Sequence, residues 1–248
     1  EAIARLALAR GSKSVAYTYN DPVIFAEYAM DTADACRALG VKSVAVTAGY
    51  MHAEPRREFY AKMDAANVDL KAFTDAFYVK QTGAHLQPVL DTLVYLKHET
   101  DVWFEVTTLL IPGLNDSSPE IEAMAKWIVR ELGCDVPIHF TAFHPDYKLT
   151  DLTPTPPATL SRARAIAQAE GIRYVYTGNV HDTDGGATRC PGCGSASIVR
   201  DWHEILAYRL TPEGCCDACG TPIAGRFEAF SGQFGRRRIP VRAAVSAS

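Results

Sequence analysis

Four cysteines in two matched pairs are the residues whose spacing implies chemistry most directly. Cys190-Pro191-Gly192-Cys193-Gly194 and Cys216-Asp217-Ala218-Cys219-Gly220 each carry two thiols three positions apart with a glycine behind them, and 22 residues separate Cys193 from Cys216. Four thiolates so spaced suit a tetrahedral ion: zinc in a structural ribbon, or iron in a rubredoxin-like site. An auxiliary iron–sulfur cluster draws on the same ligand type. Cys215 sits directly before Cys216 as a bystander, and Cys36 and Cys134 stand alone. Cysteines concentrated in this way read as metal ligands in a reducing compartment rather than as a disulfide framework, so the expected location is the cytoplasm.

A second set of residues lies along apolar segments of strand length. Thr18 with Asn20, Asp69 with Lys71, Glu105 with Thr107, and His139 with Thr141 are each two positions apart, hence on one side of their strand. Asp21, Thr47, Asn115, Asp116, His144 and Asn179 follow the strands closely. Barrel enzymes build their sites at the C-terminal ends of strands, and ionisable groups buried there need partners or a ligand. The set therefore predicts one shared site.

These residues must be positioned by alternating strands and helices. Strands are expected at Ser14–Asn20, Ser43–Ala48, Val68–Ala72, Val102–Ile111, Ile138–Phe143 and Arg173–Thr177. Helical periodicity falls near Glu1–Arg10, Val23–Leu39, Pro55–Ala65, Leu86–His98, Pro119–Leu132 and Thr159–Glu170. Ser117 and Glu120 form a possible capping box, with Pro119 in the first turn. Such alternation predicts an α/β chain with a parallel sheet, as an open or partial barrel or as a doubly wound sheet. Trp103, Trp127 and Trp202 are assigned to packing, and His85, His98 and His203 to surface or packing positions.

The expected organisation is an α/β domain over 1–180, a linker rich in Gly and Asp over 181–187, a four-cysteine ribbon over 188–227 and a basic tail over 228–248 containing Arg236-Arg237-Arg238. With 248 residues, 48% hydrophobic, the chain can bury a core without disulfides. The net charge of −4 argues against nucleic acid as a partner, and no apolar run is long enough to span a membrane.

Tyr17-Thr18-Tyr19-Asn20-Asp21-Pro22, Asp69-Leu70-Lys71, Ile111-Pro112-Gly113-Leu114-Asn115-Asp116 and Phe143-His144-Pro145 occur in that order. Together they resemble the radical S-adenosylmethionine (SAM) enzymes related to pyruvate formate-lyase activating enzyme, and among them the AmmeMemoRadiSam-system branch. The resemblance implies a partial (β/α) barrel lacking its first strand, followed by the ribbon. It implies SAM as cofactor, with Asn20, Asp21, Asp69, Lys71, Asn115 and His144 lining the SAM pocket and Asp69 and Lys71 near the reaction centre. Asp21 stands where that family usually has Glu. A [4Fe–4S] cluster is implied too, but its Cys-x3-Cys-x2-Cys loop is not in this sequence and is expected upstream of Glu1, which would leave these residues alone inactive. The intact protein would generate a 5′-deoxyadenosyl radical and act on an unnamed small-molecule or protein substrate. Memo-like and AMMECR1-like proteins are the implied partners.

Two other readings use the same residues. Lys71, with Asp69 beside it, could act as the Schiff-base nucleophile of an aldolase- or isomerase-like barrel. Alternatively the chain is a non-catalytic scaffold whose metal ribbon binds a partner.

Overall fold

The computed structural model describes residues 1–147, 149–227 and 240–241. The expected basic tail therefore lies outside the described residues, apart from 240–241. The chain forms two compact units. The first comprises Glu1–Val68 and Pro88–Phe104; the second comprises Asp69–Gln87 and residues 105–227.

In the first unit, helix α1 (Ala2–Ala9) leads to strand β1 (Ser14–Tyr17). A 3-10 turn (Pro22–Phe25) then enters α2 (Ala26–Ala38). Strand β2 (Lys42–Thr47), helix α3 (Ala53–Tyr60) and strand β3 (Ala65–Asp69) follow, and α5 (Gln87–Glu99) belongs here for almost all its length. The strands run parallel in the order β1-β2-β3. Ser43, Ala45 and Thr47 alternate with more exposed residues along β2, so one side of the strand lies under α2. Ala4 and Ala7 of α1 close on Cys36 and Val41, which makes Cys36 a buried packing residue.

The second unit holds the short helix α4 (Asp75–Phe77), running on into a π-turn at Tyr78–Thr82. Strand β4 (Trp103–Leu110), helix α6 (Ser118–Glu131), strand β5 (Ile138–Ala142), helix α7 (Pro157–Ala169) and strand β6 (Val175–Gly178) follow. These strands run parallel in the order β4-β5-β6. Val106, Thr108 and Leu110 are fully buried, and the Thr108 hydroxyl lies 3.6 Å from the sulfur of Met124 on α6. That face is the helix-covered one. Glu105, Thr107, His139, Thr141 and Tyr176 occupy the other face and are only half-buried. The expected pairing of polar residues on one side of β4 and of β5 holds.

Beyond β6 lies an antiparallel sheet of β7 (Thr188–Arg189), β8 (Ala196–Asp201) and β9 (Glu204–Tyr208). The segment 181–187 leading into it is a fastened turn. Asp182 accepts from the Thr177 hydroxyl at 2.8 Å and from the Gly185 amide at 2.9 Å, while Thr177 N donates to the Gly185 carbonyl at 3.0 Å.

Three local expectations need correcting. Strand β3 starts and ends about three positions earlier than hydrophobicity suggests, because Lys71 takes its backbone bonds from side chains, Tyr78 and Asn115, instead of a ladder. Ser117 caps α6 through the Glu120 amide at 3.4 Å, but the Glu120 carboxylate turns to the Phe73 amide at 2.7 Å, so the reciprocal half of the capping box is not made. Trp202 is no core residue: it sits 48% exposed on the β8–β9 turn with φ +53°, its indole N–H donating to the His181 ring at 3.0 Å.

Candidate functional site

Among the described residues, Cys190, Cys193, Cys216 and Cys219 form a group with all four sulfurs within 4.8 Å of one another. Cys190 and Cys219 sulfurs are 3.5 Å apart, and those of Cys193 and Cys216 are 3.8 Å apart. Four sulfurs about 2.3 Å from a central zinc would have edges of about 3.8 Å. Two of the six sulfur–sulfur separations are close to such an edge, and the others lie within 4.8 Å.

Local folding explains the spacing. The first knuckle turns between β7 and β8, with the Gly194 amide donating to the Cys190 carbonyl at 2.9 Å. The second repeats this bond, from Gly220 to Cys216 at 2.8 Å. Both glycines have positive φ, +74° and +75°, the left-handed conformation that glycine adopts without strain. Between the knuckles, a Cβ at Gly192 would overlap the Thr221 hydroxyl, so the close approach requires glycine there. Tyr174, Cys190, Cys216 and Ile223 form one buried cluster beneath.

The sulfurs differ electrostatically. Burial pushes the Cys190 thiol up. Hydrogen bonding from the Ser195 hydroxyl, ahead of the Ala218 amide, brings Cys216 down to about 6, and Thr221 first of all lowers Cys219. Cys215 stays outside the group; its amide is held by the Thr211 hydroxyl at 3.2 Å.

The strand-end residues lie as follows. In the first unit Asn20 is exposed, and Asp21 is enclosed by its own chain. One Asp21 oxygen accepts from the Val23 amide at 3.1 Å and the Thr47 hydroxyl at 2.7 Å, and the other from the Ala48 amide at 2.8 Å. The carboxylate thus ties the end of β1 to the end of β2, with one of its roughly four acceptor positions left.

In the second unit, Lys71 Nζ donates to Asp69 at 2.8 Å, with both side chains about one-third exposed. The Asn115 carboxamide, 1% exposed, donates to the carbonyls of Lys71 at 2.6 Å and Leu109 at 2.9 Å, and accepts from the Ile111 amide at 2.7 Å. It brackets the backbone at two strand ends. Tyr78, its hydroxyl pushed up to about 12 by burial, accepts the Lys71 amide at 3.0 Å. His144 is exposed beyond β5. Asp69, Lys71 and Asn115 therefore form one connected group.

Two features of the site were not anticipated. Glu105 and His139 pair at 2.6 Å, and His139 stacks on Tyr176 with ring centroids 4.9 Å apart. The hydroxyls around the sulfurs, Ser195 and Thr221, are the other; each directly follows the glycine of its knuckle, a repeated Cys-x2-Cys-Gly-hydroxyl signal readable in the sequence.

No family model matches the chain. It is 39% identical over 224 residues to the uncharacterized protein MJ0808 of Methanocaldococcus jannaschii, a match covering 90% of this chain and 66% of that protein. The chain thus spans just under two thirds of its relative. Among solved structures, it is similar to a domain of pyruvate-formate lyase-activating enzyme from Bacteroides vulgatus, at TM-score 0.58 and 16% identity, over 66% of this chain and 98% of that one. A radical SAM methyltransferase from Sphaerobacter thermophilus matches at TM-score 0.55 and 16% identity, over 71% and 54%. Streptococcus suis SuiB bound to S-adenosylmethionine matches at TM-score 0.56 and 16% identity, over 72% and 41%. The α/β fold is the one found in radical SAM enzymes. Beside it, at the C-terminal side, is a four-cysteine group suited to a metal ion.

Proposed function

We propose that the chain is the SAM-binding part of a radical SAM enzyme of the activating-enzyme-like, AmmeMemoRadiSam-system type. SAM and a [4Fe–4S] cluster, with ligands outside these 248 residues, would together supply a 5′-deoxyadenosyl radical. Without the cluster ligands the chain alone does not carry out the reaction. The residues proposed for SAM are Asn20 and Asp21 after β1, and Asp69, Lys71, Asn115 and His144 at or beyond the ends of β3, β4 and β5.

The observation that carries this reading is the Asp69–Lys71 pair, 2.8 Å apart and bracketed by Asn115, at a strand end in this fold. A carboxylate and an ammonium side by side are complementary to the zwitterionic methionine end of SAM. Asp21 keeps one acceptor position that suits an ammonium. Asn115 acts through the backbone it holds, and is a positioning residue. The Schiff-base alternative requires a neutral Lys71 amine, and the ion pair with Asp69 works against it.

At the ribbon, Cys190, Cys193, Cys216 and Cys219 are proposed to hold zinc, with iron as the alternative occupant. The substrate is left as a small molecule or protein, the partners as Memo-like and AMMECR1-like proteins, and the location as the cytoplasm.

Equilibrium SAM binding to the full-length protein, reconstituted anaerobically with iron and sulfide, tests the proposal. Binding that weakens at least tenfold in Asp69→Ala supports it. No SAM binding by the reconstituted wild type overturns it.

A further inference from the structure

Every sulfur of the four-cysteine group has a hydrogen-bonding neighbour supplied by its own module. The Gly192 amide donates to Cys190 at 3.4 Å. The Ser195 hydroxyl lies 3.1 Å from the Cys193 sulfur and 3.4 Å from that of Cys216, so it bridges the two knuckles. The Cys219 thiol donates to the Thr221 hydroxyl at 3.2 Å, a bond whose direction reverses once Cys219 is a metal-bound thiolate. A fourth group stands apart: Ser197, 0% exposed on β8, has a buried hydroxyl without a hydrogen-bond partner among the described residues. Its main chain is tied to the second knuckle through Arg209, whose amide donates to the Ser197 carbonyl at 2.7 Å and whose carbonyl accepts from the Asp217 amide at 3.3 Å.

A buried hydroxyl without a partner costs about 1–3 kcal/mol, so its retention points to a partner that arrives with something else. Thiols are weak acceptors, whereas thiolates on a metal are strong ones. Four thiolates around a divalent ion leave the group with a net charge of about −2, which donors on the sulfurs would spread.

We infer that Ser195, Ser197 and Thr221 are the positioning residues of this metal centre, donating hydroxyl hydrogen bonds to the sulfurs of Cys193, Cys216 and Cys219 when a divalent ion is bound. This rests on the metal-centre reading above. Ser195 fixes the distance between knuckles, Thr221 does so against the face of Gly192, and the Ser197 hydroxyl gains its acceptor on loading. Cys190 takes its donor from the Gly192 amide instead of a hydroxyl, so no side-chain change removes it.

The test uses cobalt(II) as probe on the whole chain, reduced and stripped of metal. Wild type is titrated by sulfur-to-cobalt charge-transfer absorption, and affinity is read by competition with a chromophoric chelator. Ser195→Ala, Ser197→Ala and Thr221→Ala should each bind about 10–100-fold more weakly. Their charge-transfer bands should move to longer wavelength, because a sulfur stripped of its donor gives up electron density more readily. Ser195→Thr, which keeps a hydroxyl, should restore most of the affinity. Circular dichroism of the metal-free forms separates folding from binding, and Ser197→Ala should be no less stable than wild type without metal. If wild type binds no cobalt, the metal-centre reading itself falls. If wild type binds and the alanine variants match it within twofold with unshifted bands, the hydroxyl inference is overturned. Metal-free unfolding of Ser197→Ala would equally overturn it, since the hydroxyl would then have a partner already.

Discussion

Asn115 holds Lys71 by its main chain, its Nδ2 donating to the Lys71 carbonyl over 2.6 Å, while the Lys71 ammonium is left to Asp69. Replacing Asn115 by Ala strands the carbonyls of Lys71 and Leu109 and the amide of Ile111. We expect a loss of about 3 kcal/mol in urea unfolding. Asn115→Asp should be no better, since it sets an acceptor against two carbonyls. Unfolding midpoints close to wild type in both variants would contradict this bracket.

Asp69→Asn should separate stability from binding. The pair it breaks is about one-third exposed on both sides, so the folded state should lose less than about 1 kcal/mol. SAM binding by the reconstituted protein should nevertheless drop by an order of magnitude. A variant that melts early but binds normally would assign Asp69 to the scaffold.

Gly192 and Gly194 make a matched pair of substitutions on one knuckle. A Cβ at Gly192 would overlap the Thr221 hydroxyl and push it from Cys219, so Gly192→Ala should impair metal retention. At Gly194 nothing lies within 4 Å, and the cost of alanine is the positive φ alone, about 1–2 kcal/mol. Metal release kinetics should therefore change more in the first variant. Equal rates would show that the contact with Thr221 is unimportant.

The loop after β3 is closed by Asp75, which accepts from the Leu86 amide at 2.9 Å and pairs with His85 at 3.0 Å. The Leu86 amide first, then His85, holds the Asp75 carboxyl below its usual range. A lowered folded-state value means the closure contributes fully above the unfolded value of about 3.9 and is lost as pH falls through the folded one. As Asp75 is protonated, the Leu86 amide proton shift should move below about pH 4. Asp75→Ala should abolish that movement. A Leu86 resonance indifferent to acid in wild type would refute the closure.

Much of this architecture was legible in the chain, for reasons that differ by element. Helix α6 announced itself because Ile121, Met124, Ile128, Val129 and Leu132 repeat at helical spacing behind Ser117 and Pro119. The cysteine group was legible because metal geometry constrains spacing within each knuckle, whatever surrounds it. The end of β3 was not, since Leu70 and Ala72 are as apolar as a strand residue and as buried, and only the bonds of Lys71 to Tyr78 and Asn115 reveal that the ladder has stopped. Alternation also put Glu105 and His139 on defined sides of separate strands but could not pair them, because strand register is a tertiary property. Trp202 was misjudged because a large aromatic on a hairpin turn has the same composition as one in a core.

Tyr174 bears one further consequence. It precedes β6, yet its ring belongs to the cluster under Cys190 and Cys216, and its hydroxyl receives the Ala224 amide at 3.0 Å. The parallel strands and the cysteine module of the second unit therefore share a floorboard. Severing the chain across 181–187 would not yield two beads on a string but two pieces each missing a wall, and heating should melt them in step instead of one after the other.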